Sequence, residues 1–340
     1  MSSTLPVEIV GGGLAGLAAG LALRRAGVPV TLYEAHAYPR HRVCGEFISG
    51  LDEATSGRLG FGEFLEGAQP HRGVTYHLRG RPLRPLRIPG TAWGISRHTL
   101  DARMAGAFVE AGGDLRSNTR APEGGPRPGR VLATGRRPKG RLWVGLKVHV
   151  RGLELANDFE IHLGESAYVG LSRIESSAVN VCGIFHRRDV EERGAGLIGA
   201  YLRACGLGGL AERIEAAQPD PESFCAAAAT LRDAGFGPPD TVRIGDALAT
   251  IPPFTGNGLA MALQGADLAV GPLAEYALGG ASWDDCVRRI AAEQRRRFRR
   301  RLLLANLVHP FLLVRRRQAF LAALVDMRLM PFGAFYAALR

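Results

Sequence analysis

Lysine is almost missing from this chain: Lys139 and Lys147 stand against 41 arginines in 340 residues. Such a bias follows the nucleotide composition of a genome, and it makes each lysine a residue to account for. Cysteine is scarce as well. The five thiols, at 44, 182, 205, 225 and 286, are odd in number and scattered, with no C-x-x-C pair. Reduced thiols in a cytosol are the simple reading. There is no P-loop, no Ser-His-Asp order and no metal-ligand spacing, so ATPase and hydrolase readings fail and no metal is expected. No apolar run is long and clean enough to span a bilayer. The apolar stretch ending at Leu23 is interrupted by glycines and lacks a basic leader, so no signal peptide is expected. Negative charge is short in one place only. Residues 287–340 hold 13 of the 43 Lys+Arg but 2 of the 32 Asp+Glu, so the whole net charge of +11 sits in the tail.

What is present is organised around Val7–Glu34. Val7–Val10 reads as a buried parallel strand. Gly11, Gly13 and Gly16 then fit G-x-G-x-x-G: a tight turn, a close approach of backbone to pyrophosphate, and close helix–strand packing. The phosphates would lie on the helix N-terminus at Leu14 and Ala15. The Ala/Leu-rich helix ends in Arg24-Arg25 and Gly27, a normal stop. Val28–Tyr33 is a second strand, and Glu34 follows 18 residues after Gly16, where a carboxylate would accept from a ribose diol. A purely structural glycine-rich turn is the alternative; dinucleotide binding fits the strand, helix and acid together.

Further along, a helix is expected near 51–59, short strands near 74–78 and 84–88, and a helix phased on Leu100, Met104 and Phe108 with a Gly112-Gly113 stop. Residues 121–130 carry three prolines and three glycines and read as a loop. Alternation from 141 to 186 predicts an antiparallel sheet, with helices near 190–204 and 208–217 after it. The chain then returns through Thr241–Asp246 to the first domain. The fold class is therefore α/β: a Rossmann-like domain over 1–140 and 235–282, an inserted antiparallel sheet over 141–234, and a helical tail over 283–340.

Four segments together resemble the FAD-dependent oxidoreductases of the para-hydroxybenzoate-hydroxylase fold, nearest the geranylgeranyl-reductase-like branch that borders flavin monooxygenases and halogenases. They are G-G-G-L-A-G (11–16), P-R-x-x-V-C-G-E (39–46), R-x-x-L-D (97–101) and G-D-A-L-A-T-I-P-P-F-T-G-N-G-L-A (245–260). The resemblance implies FAD as cofactor. It implies that Gly245 and Asp246 meet the ribityl chain, and that Gly256, Asn257 and Gly258 offer backbone N–H groups to the flavin ring. It also implies that Arg97 reaches the FAD phosphates or ribose, with Arg42 as a second contact. A solvated arginine at a helix start is the bland reading of Arg97.

The resemblance places Cys44 and Glu46 beside the isoalloxazine as candidates for chemistry, against a buried structural thiol and a helix-start carboxylate. Lys147 is the third candidate. If Leu142–Val150 is a strand, Trp143, Gly145, Lys147 and His149 share a face. Lys147 would then face the flavin, or, as an edge-strand lysine, stand in solvent. Two departures matter. The family's A-D-G-x-x-S motif reads Ala133-Thr134-Gly135-Arg136-Arg137 after a shortened loop, which points to a separate electron donor as much as to NAD(P)H. The Tyr-x-Trp-x-Phe-Pro core of prenyl reductases is only echoed in Tyr168-Val169-Gly170-Leu171.

These readings imply an oxidoreductase acting on a hydrophobic substrate (isoprenoid, polyketide or lipid), by double-bond reduction through flavin N5. Hydroxylation through a C4a-hydroperoxide and a non-catalytic flavin-binding subunit are the alternatives. The basic tail, with Arg clusters interleaved with Leu and Phe, suits an anionic membrane surface or a helical lid. No recognition motif supports nucleic acid. The expected location is cytoplasmic, or peripheral on the inner face of the membrane.

Overall fold

The computed structural model describes residues 4–136, 142–231, 236 and 240–339. Arg137, Lys139 and the domain boundaries expected at 140/141 and 234/235 lie outside them.

Five strands form a parallel sheet: β1 (Val7–Val10), β2 (Val30–Tyr33), β7 (Asp114–Arg116), β8 (Arg130–Leu132) and β14 (Val242–Arg243), in the order β14-β8-β1-β2-β7. Helices α1 (Leu14–Arg25), α3 (Arg97–Glu110) and α6 (Gly258–Ala277) pack on it, with α2 (Glu53–Leu59) beside α6. Leu17, Leu21 and Leu23 of α1, Met104 and Phe108 of α3, and Leu263 of α6 share one core with Ile9, Leu32 and Val131 of the sheet. The periodicity around Leu100, Met104 and Phe108 is therefore the buried stripe of α3, as expected.

The second sheet holds β3 (Phe47–Ile48), β4 (Gln69–Leu78), β5 (Arg81–Pro82), β6 (Leu86–Gly94), β9 (Trp143–Arg151), β10 (Phe159–Gly164), β11 (Ala167–Arg173), β12 (Ala178–His186) and β13 (Gln218–Ala229). Its order is β13-β9-β12-β11-β10-β4-β6-β3, with β5 paired to β4. The expected antiparallel run from 141 to 186 is present, but residues 47–94 supply four more strands. They join it through a parallel pairing that aligns His77 of β4 with His162 of β10. On β9, Leu146, Val148 and Val150 face a core covered by α4 (Gly196–Ala204) and α5 (Gly208–Ala216). Gly145, Lys147 and His149 face the opposite way, as the strand period of two requires.

Three helices follow: α7 (Trp283–Leu313), α8 (Arg315–Asp326) and α9 (Phe332–Ala338). α7 runs through Pro310 in its last turn. Pro310 costs the helix a bond near an end where few remain, while Ala305, His309 and Leu312 are buried. Among the described residues, no helix is long and apolar enough to cross a membrane.

Candidate active site

The first turn of α1 forms a cradle. Gly11 has φ +112°, and a Cβ there would lie 2.3 Å from the carbonyl oxygen of Ala133. At Gly16 it would lie 2.0 Å from the oxygen of Gly11. These two glycines are required by the fold itself. Gly13 differs: the nearest atom to its missing Cβ is Arg97 Nη2, 3.8 Å away, so its surface is left free for a ligand. No side chain caps α1 and no acid sits in its first turn, which leaves N–H groups and positive dipole open to an anion.

Glu34 closes the cradle. One carboxylate oxygen accepts from the Gly12 N–H at 3.0 Å and the other from the His36 N–H at 3.1 Å. Arg42 bridges it to Asp101, with Nη2 3.3 Å from Glu34 Oε2 and Nε 3.2 Å from Asp101 Oδ2. Arg97 is buried and grips Asp101 through two bonds of 2.7 Å, which hold its guanidinium charged against the cost of burial. Buried and fixed beside Gly13, Arg97 is not the solvated arginine of the bland reading.

The C-G-E loop fastens the two sheets together. The Cys44 carbonyl accepts from Asn180 at 3.0 Å, and the Gly45 carbonyl accepts from Ser172 at 2.9 Å. Glu46 is fully buried with a left-handed φ of 50°, a strained state for a residue with a Cβ. Its Oε1 accepts from the backbone N–H of Arg97 at 3.0 Å and lies 3.6 Å from Lys147 Nζ. Its Oε2 is 2.6 Å from His149 Nε2. Lys147 Nζ is also 3.0 Å from His41 Nδ1 and 3.4 Å from the Ser223 carbonyl.

The solvent-facing alternative for Lys147 is thereby corrected. β13 pairs along β9, so β9 is not an edge, and the ammonium is buried. A lysine can only donate, so His41 Nδ1 accepts and its Nε2 carries the ring proton. Burial, then the nearby Lys147 and His149, push the His41 pKa down to about 4, so the ring is neutral at pH 7. The Cys44 thiol is pushed up by burial, which makes it a poor nucleophile.

His41, Arg42, Cys44, Glu46 and Arg97 border one cavity of about 1150 Å³. One end is the cradle, with Gly11, Gly13, Leu14, Ala15 and Glu34; the middle has Arg42, Cys44, Glu46, Arg97, Gly245 and Asp246. The far end is apolar, walled by Phe47, Phe159, Ile161, Tyr168 and Phe254. Burial raises the Asp246 pKa, against Arg136 and Arg97, which lower it. Gly256 and Gly258 line the cavity. The Asn257 side chain turns away and donates to the Leu339 carbonyl at 3.0 Å. Gly16 lies behind the turn and Lys147 behind His41. The residues present thus fit a dinucleotide that carries a pyrophosphate and a ribose.

Sequence reasoning missed three contributors. His41 occupies a variable position inside the 39–46 motif. His149 shares the Lys147 face of its strand, and nothing in the sequence alone gives it a role. Glu175 accepts from the Ser96 N–H at 2.8 Å and from Thr99 Oγ1 at 2.6 Å, so the second sheet caps the helix that carries Arg97 and Asp101. One group has metal-ligand proximity among the described residues: His77, Glu160 and His162. The two imidazoles are stacked 4.2 Å apart at 13°, so their in-plane lone pairs run side by side and do not converge. Against burial, His162 (2.8 Å from Oε2), the Ala156 N–H and Arg213 hold the Glu160 carboxyl down to about 2. The group reads as a buried carboxylate held by hydrogen bonds from His162 and the Ala156 N–H, with Arg213 at 3.5 Å as its charge partner.

Residues 9–43 match the NAD(P)-binding Rossmann-like domain. Over 124 residues the chain is 28% identical to the menaquinone reductase of Mycolicibacterium smegmatis, a match that spans 35% of this chain and 30% of that protein. Three solved structures are similar over nearly the whole length. The p-nitrophenol 4-monooxygenase PnpA of Pseudomonas putida has a TM-score of 0.79 at 14% identity, over 100% of this chain and 97% of its own. A geranylgeranyl bacteriochlorophyll reductase-like protein of Thermoplasma acidophilum has 0.75 at 16%, over 99% and 96%. A single-residue variant of HpxO from Klebsiella pneumoniae, complexed with FAD, has 0.75 at 17%, over 98% and 97%. The chain has the fold of the FAD-dependent oxidoreductases, as the motifs led one to expect.

Proposed function

We propose that this protein is an FAD-dependent oxidoreductase that reduces a carbon–carbon double bond in a hydrophobic, isoprenoid-like substrate. The observation that carries the reading is the linked set His41–Lys147–Glu46–His149, two hydrogen-bonded contacts joined by an ion pair, whose His41 and Glu46 line a cavity with a dinucleotide cradle at one end and apolar walls at the other. FAD, when bound, would supply the two-electron chemistry. Gly13, Glu34, Arg42, Arg97, Gly245, Asp246, Gly256 and Gly258 would hold it, with the Asn257 backbone between the last two. Saturating a double bond also needs a proton delivered to carbon. His41 would give it from Nε2 and recover one at Nδ1 from Lys147, whose charge the Glu46 carboxylate stabilises. The apolar end would bind the substrate and exclude water from it. The cavity has room beyond the cradle for a second ligand, which disfavours a non-catalytic flavin carrier. The match to a menaquinone reductase, though it spans less than a third of that protein, supports an isoprenoid chain as substrate.

The electron donor is proposed to be a separate reductase or ferredoxin. Ala121–Pro126 of the shortened loop line the cavity near the cradle, and Ala133-Thr134-Gly135 stands in place of the Asp-Gly motif that would serve a nicotinamide.

The test uses purified protein loaded with FAD and reduced chemically without oxygen. It is given a polyprenyl quinone with and without subsequent aeration, and the product is weighed by mass spectrometry. A gain of two hydrogens without oxygen that persists after the quinone ring is reoxidised in air supports double-bond reduction, and His41→Asn should lower that rate about 100-fold or more while flavin binding persists. Oxygen-dependent gain of one oxygen atom would replace this reading with hydroxylation. A protein that takes up no FAD would end both. Rapid reduction of the flavin by NADPH would overturn the separate donor.

A further inference from the structure

The basic tail is the one motif the active site does not absorb, and its two faces differ. The inner face of α7 presents Phe298, Leu302, Ala305, His309 and Leu312, all buried. His309 stacks on the cavity residue Phe254, ring centroids 5.7 Å apart at 16°, and lies 3.3 Å from the Tyr168 hydroxyl. This face packs behind two residues of the cavity's apolar end, Phe254 and Tyr168. The outer face has no cover among the described residues. Leu303 and Leu307 are 62% and 69% exposed, one turn apart on α7, and Phe320 of α8 is 57% exposed. Phe311 joins the two helices, its ring 6.5 Å from that of Phe320 and under the Arg317 guanidinium at 5.4 Å. The result is one apolar strip across two helices.

Arginines flank it. Arg299 and Arg300 precede the strip on α7, and Arg315 and Arg316 open α8; all are exposed, and none has a carboxylate partner among the described residues. The two acids of this region are already engaged, Glu293 by Arg296 at 2.6 Å and Asp326 by Arg81 at 2.9 Å. Unpaired positive charge bordering exposed Leu and Phe matches one kind of surface: anionic headgroups over hydrocarbon.

We propose that the outer face of α7 and α8 docks this protein on an anionic lipid bilayer. Leu303, Leu307, Phe311 and Phe320 enter the acyl boundary, and the flanking arginines bind the headgroups. The apolar end of the cavity then lies one helix diameter, about 10 Å, from the membrane. The docking stands without the proposed reaction.

The experiment is sedimentation of the full chain, loaded with FAD, with phosphatidylcholine vesicles and with vesicles in which about a third of the lipid is phosphatidylglycerol. The protein should pellet with the anionic vesicles and bind the neutral ones about tenfold more weakly or less. L307D/F320D and R299E/R300E should each reduce anionic-vesicle binding about tenfold or more. Flavin content and thermal midpoint should be unchanged, since the four side chains are exposed. Absence of pelleting overturns the proposal. So does binding that L307D/F320D leaves intact and that an oligonucleotide competes away, which would mark a general polyanion surface. A dimer in solution that L307D/F320D dissociates, without vesicle binding, would assign the strip to a second copy and overturn it too.

Discussion

Glu46 holds together parts of the chain that lie far apart in sequence. Its carboxylate meets the Arg97 backbone, Lys147 and His149, and its own backbone is held left-handed. Burying an ion pair is not by itself stabilising, but removing one partner leaves the other charge stranded. Lys147→Met should therefore cost about 3–5 kcal/mol in urea unfolding, and adding Glu46→Gln should restore part of that loss. Additive losses would show that the two side chains do not interact. The three candidates Cys44, Glu46 and Lys147 were legible because two come from a recognisable motif and the third is a rare residue type. Their partners were not. Nothing local in the sequence pairs His41 with a lysine 106 residues away.

At the scale of elements, the glycines of the first turn divide by cause. Gly11→Ala forces a Cβ into the Ala133 carbonyl at a positive φ, so it should abolish soluble expression or lower the melting temperature sharply. Gly13→Ala meets only the Arg97 guanidinium, at an ordinary contact distance of 3.8 Å, and should fold normally while FAD affinity, followed by flavin fluorescence, falls about tenfold or more. Equal loss of fold in both variants would remove the distinction between architecture and ligand surface. This strand–turn–helix was readable because every requirement is local. β13 was not: Gln218–Ala229 has two prolines and an alanine run in place of alternation, and its pairing to β9 shifts register between Asp220 and Cys225. Its strand identity comes from the partner, not from its own side chains. The contribution of residues 47–94 to the second sheet was hidden for the same reason, since a parallel pairing of β4 with β10 leaves no mark in either strand alone.

Across the whole molecule, acid sensitivity should be set by histidines buried uncharged. Burial, outweighing Asp158 for His71 and assisted by His162 for His77, pushes both pKa values down to about 4. The ordinary value is about 6.5, so in that window the unfolded chain binds the protons that the folded one refuses. Stability therefore rises from about pH 4 to 6.5 and is complete above it. Glu160 acts lower: its pKa is held down to about 2, so its contribution is complete above about pH 4.5 and is lost progressively as pH falls from there through 2. A thermal midpoint measured from pH 8 to 4 should be level down to about 6.5 and then decline, well before any carboxylate of the Glu160 group is protonated. His71→Gln, which keeps a donor toward the Arg173 carbonyl that His71 Nε2 meets at 3.0 Å, should flatten part of that slope. A midpoint level down to pH 4, or a slope unchanged in that variant, would mean these rings are hydrated or charged in the folded protein. The second sheet, where both rings lie on β4 between β10 and β6, would then be less tightly closed than its burial implies.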